Sequence, residues 1–253
     1  MTARVRALSR STPGNHVIVV FPHAGGSPRF FSSWCRELPA GVDLYGVTYP
    51  GRDLLLDEPE PDTLVDLASD CGTELEPIIR GSGSVVIFGH SMGACVALEA
   101  ARSLERSGMP VTALVVSGAD APHLEPHPGI ERAWHRACDD DLVRHTGELD
   151  LRSLEVLAVP ELRRLFLPAI RDDYRLIENY RAEPDPQLSC PLHVMYGTSD
   201  PEVTASRVAA WAAYTRADWQ VRPFPGDHFY LTAHAAQIVA YLSDIAVTCG
   251  RRR

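Results

Sequence analysis

Gly89-His90-Ser91-Met92-Gly93 is the segment of this chain best suited to chemistry. A serine hydroxyl is a weak nucleophile until a neighbouring base takes its proton, and G-x-S-x-G is the spacing that presents it to such a base. Val85 to Phe88 reads as a buried strand, and GACVALEAARSLERSG reads as a helix that stops at Gly108. Ala94, Ala97, Leu98, Ala101 and Leu104 fall on one side of that helix. A serine at the sharp turn between strand and helix carries its oxygen outward, and the flanking glycines let the two backbones pass closely. Glycine is common enough that the five-residue pattern alone is only suggestive; the strand before it and the helix after it give it weight.

Such a serine needs a base and a carboxylate to orient that base, in the chain order Ser, Asp or Glu, His, each beyond the end of a strand. Asp200 follows the apolar run LHVMYG, and His228 follows VRPFPGD and opens FYLTAHAAQIV. Read alone, Asp200 is an Asp-Pro turn or a helix cap, and His228 a surface histidine. Read with Ser91, the two complete a catalytic triad. The loop Phe21-Pro22-His23-Ala24-Gly25-Gly26 is glycine-rich, and its backbone is free to aim an amide at an anionic oxygen. The amides of Ala24 and Met92 are the expected oxyanion donors.

These residues need a scaffold that brings strand ends to one edge. Short apolar runs recur at Val17 to Phe21, Leu44 to Thr48, Val85 to Phe88, Ala113 to Val116, Leu192 to Tyr196 and Gln220 to Phe224, with helical patterns between them. That alternation predicts a mostly parallel sheet with helices on both faces, and with the serine turn it predicts an α/β-hydrolase fold. One domain is expected over residues 1–253, with no repeat or linker. Residues 119–190 exceed what a simple crossover needs, so an insertion is expected there, with Pro160 and Pro168 each starting a helical stretch. Leu165, Ile170, Tyr174, Ile177 and Tyr180 keep an amphipathic spacing. The pattern fits a helical lid over the site or an ordinary packed helical subdomain.

Composition removes several classes of function. The net charge is −9, and all 24 basic residues are arginines, with no lysine anywhere. A nucleic-acid partner is not expected without clustered positive charge, since Arg251-Arg252-Arg253 is the only basic run. Schiff-base chemistry and the Walker lysine are excluded. No run reaches 18 apolar residues, and the start of the chain lacks a signal peptide's apolar region, so neither a membrane span nor secretion is expected. Six scattered cysteines without a C-x-x-C pair suggest packed, reduced thiols, hence a cytoplasmic protein; Cys95 reads as packed rather than reactive. His123 and His127 are four apart, but Pro126 breaks the helix that would aim them at a metal, so neither metal nor cofactor is expected. Cys138-Asp139-Asp140-Asp141 reads as an acidic helix start. A monomer is expected.

FPHAGG, YPGR, GHSMGA, the Gly197 to Asp200 turn and GDHFYL together resemble the type II thioesterases of polyketide and nonribosomal peptide assembly lines, over nearly the whole chain. The resemblance implies a free-standing enzyme that clears stalled or aberrant acyl groups from the phosphopantetheine arm of acyl or peptidyl carrier proteins. It implies Ser91, Asp200 and His228 as the catalytic residues and Ala24 and Met92 as the oxyanion amides. RDDYRLIENYR, Arg171 to Arg181, resembles the helix of the family's lid region. The sequence departs from the family at Asp227, where a second glycine is usual before the histidine, and in PGRDLLLDEP, which lacks an arginine often found after the PGR segment. A carboxylesterase acting on oxygen esters is the nearest alternative, because triad and oxyanion hole serve both reactions.

Overall fold

Seven strands form one sheet in the order β1-β3-β2-β4-β5-β6-β7. They are β1 (Val5–Ser9), β2 (His16–Phe21), β3 (Val42–Val47), β4 (Ser84–His90), β5 (Ala113–Ser117), β6 (Leu192–Gly197) and β7 (Trp219–Phe224). The computed structural model describes residues 4–11, 15–125, 133–149, 151–185 and 187–250. Pro126, His127 and the Arg251 to Arg253 run lie outside the described residues, as does the side chain of Cys249. β2 to β7 are parallel to their neighbours, and only β1 is antiparallel, on the edge beside β3. All six strands expected from apolar runs are present. β1 was not expected: VRALS mixes charged and apolar residues, as an edge strand does.

The helices are α1 (Leu64–Arg80), α2 (Met92–Arg106), α3 (Asp139–Leu149), α4 (Leu151–Leu157), α5 (Pro160–Glu178), α6 (Ala205–Ala209), α7 (Tyr230–Ala233) and α8 (Ala235–Gly250). Strand residues alternate between two cores. Val17, Val19, Phe21, Val85 and Ile87 pack on the side of α1 and α2, whereas Ile18, Val20, Val86 and Phe88 pack on the side of α8. With both faces covered, each central strand carries a near-continuous apolar run. The α2 helix is buried nearly all round rather than on one stripe, from Met92 to Leu104.

Between β5 and β6 the chain inserts α3, α4 and α5. Leu142, Leu157, Leu167 and Ile170 form a small core of their own there, apart from the two sheet cores. The acidic start at Asp139, Asp140 and Asp141 opens α3, complementing the partial positive charge of a helix N-terminus. Pro160 begins α5 as expected, but Pro168 does not begin a second helix. It lies inside the 19-residue α5. The lost N–H bond and the ring clash cost about 3 kcal/mol in an exposed helix. Burial of Leu167, Ala169, Ile170 and Leu176 along the same helix offsets that cost. Ile170 and Tyr180 of the amphipathic series are buried, whereas Leu165 is 45% exposed. No helix among the described residues is long and apolar enough to cross a membrane.

Candidate active site

Ser91 stands between β4 and α2 with φ 54° and ψ −123°, a region that non-glycine residues rarely occupy. Its own N–H is held by the Ser117 carbonyl at 2.8 Å, which anchors the turn to the end of β5. Because β2 and β4 to β7 run in one direction, their C-terminal ends share an edge, and the loops beyond them meet there.

Asp200 and His228 come together at that edge. The loop after β6 is pinned to the loop after β7 by Thr198 N–H to the Phe224 carbonyl and Ser199 N–H to the Gly226 carbonyl, both 2.8 Å. Gly197 permits the approach: a Cβ there would lie 2.1 Å from the Asp227 carbonyl oxygen. His228 Nδ1 then lies 2.8 Å from Asp200 Oδ2, with both side chains buried. An ionised carboxylate only accepts, so Nδ1 carries the proton and Nε2 is left as the basic nitrogen. Ser91 and His228 line the same small cavity, with no hydrogen bond joining them; such contacts are often long in free enzymes and tighten on binding. Ala24 and Met92 line a second, larger cavity with Ser91. Met92 opens α2, where an N–H has no intrahelical acceptor.

Two further histidines surround His228. His90 lies 5.0 Å from it, ring to ring, and shares a hydrogen-bond chain with Ser117 and Tyr230. Burial, with His228 nearby, pushes the His90 imidazole well below 6.5 and that of His23 to about 3, so both are neutral. Burial also works against charge on His228. The hydrogen bond to Asp200 and the negative charges of Glu202, Asp200 and Asp227 outweigh it, and the His228 pKa rises above 6.5. Asp227, the departure from the usual glycine, thus adds to the field on the imidazole while its Oδ1 accepts from Phe229 N–H.

A family model described as "Thioesterase domain" matches residues 16–246. This chain belongs to the thioesterase domain family. It is 37% identical to thioesterase PikA5 of Streptomyces venezuelae over 235 residues, covering 92% of this chain and 82% of that protein. It is 31% identical to thioesterase TesA of Mycobacterium marinum over 230 residues, 91% and 89% of the two. Among solved structures it resembles the type II thioesterase BorB from the borrelidin biosynthetic cluster, with TM-score 0.86 and 35% identity, covering 97% of this chain and 98% of that one. YbtT, a type II thioesterase from the yersiniabactin pathway, gives TM-score 0.85 and 31% identity over 98% and 99%. The sheet is accordingly an α/β-hydrolase fold.

The site of this thioesterase extends into residues whose pairing the sequence does not reveal. Arg52, in the YPGR segment, donates from Nη1 and Nη2 to the two oxygens of Asp173 on α5, at 2.7 and 2.9 Å. Nη1 also reaches the Gly26 carbonyl at 2.9 Å, and Nε reaches that of Pro50 at 3.1 Å. Asp173 Oδ2 accepts in addition from the Gly25 N–H at 2.6 Å. Burial alone would weaken the guanidinium's hold on its proton, but the Asp173 carboxylate more than offsets it. One fully buried ion pair thus ties the Ala24 loop, the PGR loop and the inserted helices together. Glu60 lies close by with no hydrogen bond to its buried oxygens; burial and Asp173 push its carboxyl up to about 7.

The larger cavity is about 150 Å³ and the smaller about 50 Å³, and Ser91, Ala24, Leu149 and Tyr174 border both. Cys95 is buried in α2, as expected, and also borders the larger cavity. No cluster of three His, Cys, Asp or Glu positioned to hold a metal occurs among the described residues.

Glu202 Oε2 lies 3.8 Å from His228 Nδ1, and its charge favours the imidazolium. Glu202→Gln should therefore lower the His228 pKa, so that the basic form persists to lower pH. In a pH profile of kcat/KM, the acidic limb of the variant moves to lower pH than that of the wild type, with the plateau within about threefold. A shift to higher pH would contradict this electrostatic reading.

Proposed function

We propose that this protein hydrolyses acyl thioesters carried on the phosphopantetheine arm of acyl or peptidyl carrier proteins, removing stalled or aberrant chains from polyketide or nonribosomal peptide assembly. The family match supports thioester chemistry, and the likeness to BorB and YbtT, both type II thioesterases, supports the editing role over the carboxylesterase alternative. The observation that carries the reading is the meeting of Ser91 with the Asp200–His228 pair at one cavity of a chain built like those proteins. A free-standing cytoplasmic enzyme is the corresponding setting.

In the mechanism, His228 Nε2 takes the proton of Ser91 Oγ as that oxygen attacks the thioester carbonyl. The developing oxyanion is stabilised by the Ala24 and Met92 amides; one such donor contributes roughly 3 to 4 kcal/mol to the transition state. The C–S bond breaks and His228 returns the proton to the leaving sulfur, a thiol of pKa about 8.5. The acyl-Ser91 ester remains. Water, deprotonated by His228, then attacks that ester and frees the acid and the serine. Asp200 stays ionised throughout and stabilises the His228 imidazolium. The thiol side must face His228, so the pantetheine arm uses the smaller cavity and the acyl chain the larger.

In this reading the 119–190 insertion is the lid, since His145 and Leu149 of α3 and Tyr174 and Ile177 of α5 roof the larger cavity. Labelling Ser91 with an acyl phosphonate should raise hydrogen-exchange protection in residues 139–178; unchanged protection would reject a lid.

The function is tested by steady-state hydrolysis of acyl-phosphopantetheinyl carrier beside matched oxygen esters. Carrier hydrolysis should exceed ester hydrolysis in kcat/KM, and Ser91→Ala should lower it by up to about a millionfold. Rapid ester cleavage with an untouched carrier would make the protein an esterase, and residual activity of a tenth in Ser91→Ala would remove Ser91 from the mechanism.

A further inference from the structure

The larger cavity is walled mostly by apolar side chains, among them Leu124, Leu149, Ile177 and Val203. Among the polar side chains in that wall, which include Asp120, Trp134, Glu178, Tyr180 and Glu202, two rings stand together. His145 of α3 is only 8% exposed and Tyr174 of α5 is half-buried, and they meet edge to face with centroids 5.5 Å apart. Neither the His145 ring nitrogens nor the Tyr174 hydroxyl takes part in a hydrogen bond among the described residues, and both residues border the cavity. They are also held in place. His145 stacks flat on Trp134 at 3.9 Å and 5°, and Trp134 is fastened to α5 by its backbone N–H, which donates to Glu178 Oε1 at 2.8 Å.

Burial keeps the His145 imidazole below its ordinary pKa and raises the Tyr174 phenol well above 10, so both rings are neutral near pH 7. A neutral imidazole offers one donor and one acceptor, and a phenol offers both on one oxygen. A saturated hydrocarbon chain filling the cavity would cover these groups and return no hydrogen bond, at about 1 to 3 kcal/mol for each group left unpaired. A chain with a keto or hydroxyl oxygen at their level would satisfy one or both. Sites built to hydrogen-bond a substrate oxygen discriminate against the analogue lacking it more strongly than apolar pockets discriminate by size.

We propose that His145 and Tyr174 form a polar subsite within the acyl cavity that selects oxygenated acyl groups, keto- or hydroxyacyl, over saturated alkyl chains of equal length. This inference rests on the carrier-thioester reading for its substrate, but the subsite belongs to the cavity. Its chemistry matches chains whose carbonyls have not been fully reduced, so the reaction class upstream is carbon–carbon condensation or partial ketoreduction.

The test compares kcat/KM for butanoyl, 3-hydroxybutanoyl and 3-oxobutanoyl carrier, together with a hexanoyl and 5-oxohexanoyl pair that probes greater depth. Wild type, His145→Phe and Tyr174→Phe are assayed; both variants keep a ring and remove the hydrogen-bonding atoms. At least one oxygenated substrate should be preferred by roughly tenfold, the equivalent of one net hydrogen bond, and the preference should fall towards one in each variant. A wild-type ratio at or below one at both depths would overturn the subsite, as would a ratio unchanged in both variants. The same proteins are treated with propyl, 2-oxopropyl, pentyl and 4-oxopentyl fluorophosphonates, in which phosphorus stands for the acyl carbonyl carbon and whose rates of attachment to Ser91 report on the cavity without a carrier. If every carrier substrate is inert while an oxoalkyl probe reacts faster in the wild type only, the carrier reading fails and the subsite stands. If no probe shows that preference, the subsite fails whatever the carrier result.

Discussion

Between β4 and α2 the backbone of Ser91 is held at φ 54° and ψ −123°, which costs a residue with a side chain about 1 to 3 kcal/mol and persists only where the surroundings enforce it. Close backbone approaches enforce it here. A Cβ on Gly89 would lie 2.1 Å from the Gly93 carbonyl oxygen, and one on Gly93 would lie 2.3 Å from that of Phe21 and 2.5 Å from that of Pro22. The turn is therefore pressed against the start of the Ala24 loop with no room for a methyl group. The constraint that lifts the serine hydroxyl also sets the Met92 amide relative to that loop, so the proposed nucleophile and the proposed oxyanion donors are positioned together. Burial of α2 between α1 and the sheet keeps the turn from relaxing.

The second tie is the buried Arg52–Asp173 pair. Charges so far from water are worth little unless every donor and acceptor is used, and losing one partner typically costs about 3 to 5 kcal/mol. Here Arg52 spans Asp173 and two carbonyls, and Asp173 also takes the Gly25 amide. The ion pair thereby couples the Ala24 loop to the helix that carries Tyr174. A change of α5 on binding would be felt at Gly25, next to the proposed oxyanion donor Ala24.

The sheet was legible because strands covered on both faces carry near-continuous apolar runs, which marks β2 to β6 without any partner information, whereas the mostly exposed edge strand β7 showed only as a short run at the end of the alternation. The edge strand β1 carries Arg6 and has no such run. The order Ser91, Asp200, His228 is readable because each residue follows a strand, and parallel strands end at one edge. Arg52 and Asp173 were visible only as parts of family-like segments: their contact spans 121 residues, and nothing in RDDYR marks Asp173 rather than Asp172 as the buried one. Pro168 misled because the rule that proline starts helices treats the helix as isolated, whereas the buried face of α5 decides. His145 had no signal at all, since its partner Trp134 and its cavity exist only once α3 and α5 are folded together.

The central claim is that a covalent ester forms on one serine at this edge. Rapid mixing with excess acyl-carrier, acid quench and peptide mass analysis tests it most directly. The account predicts a burst in which the acyl mass appears on the peptide containing Ser91, persists until the acyl-carrier is consumed and is absent from Ser91→Ala. Thioester turnover at full rate with the acyl group on another residue, or unchanged turnover by Ser91→Ala, would contradict it.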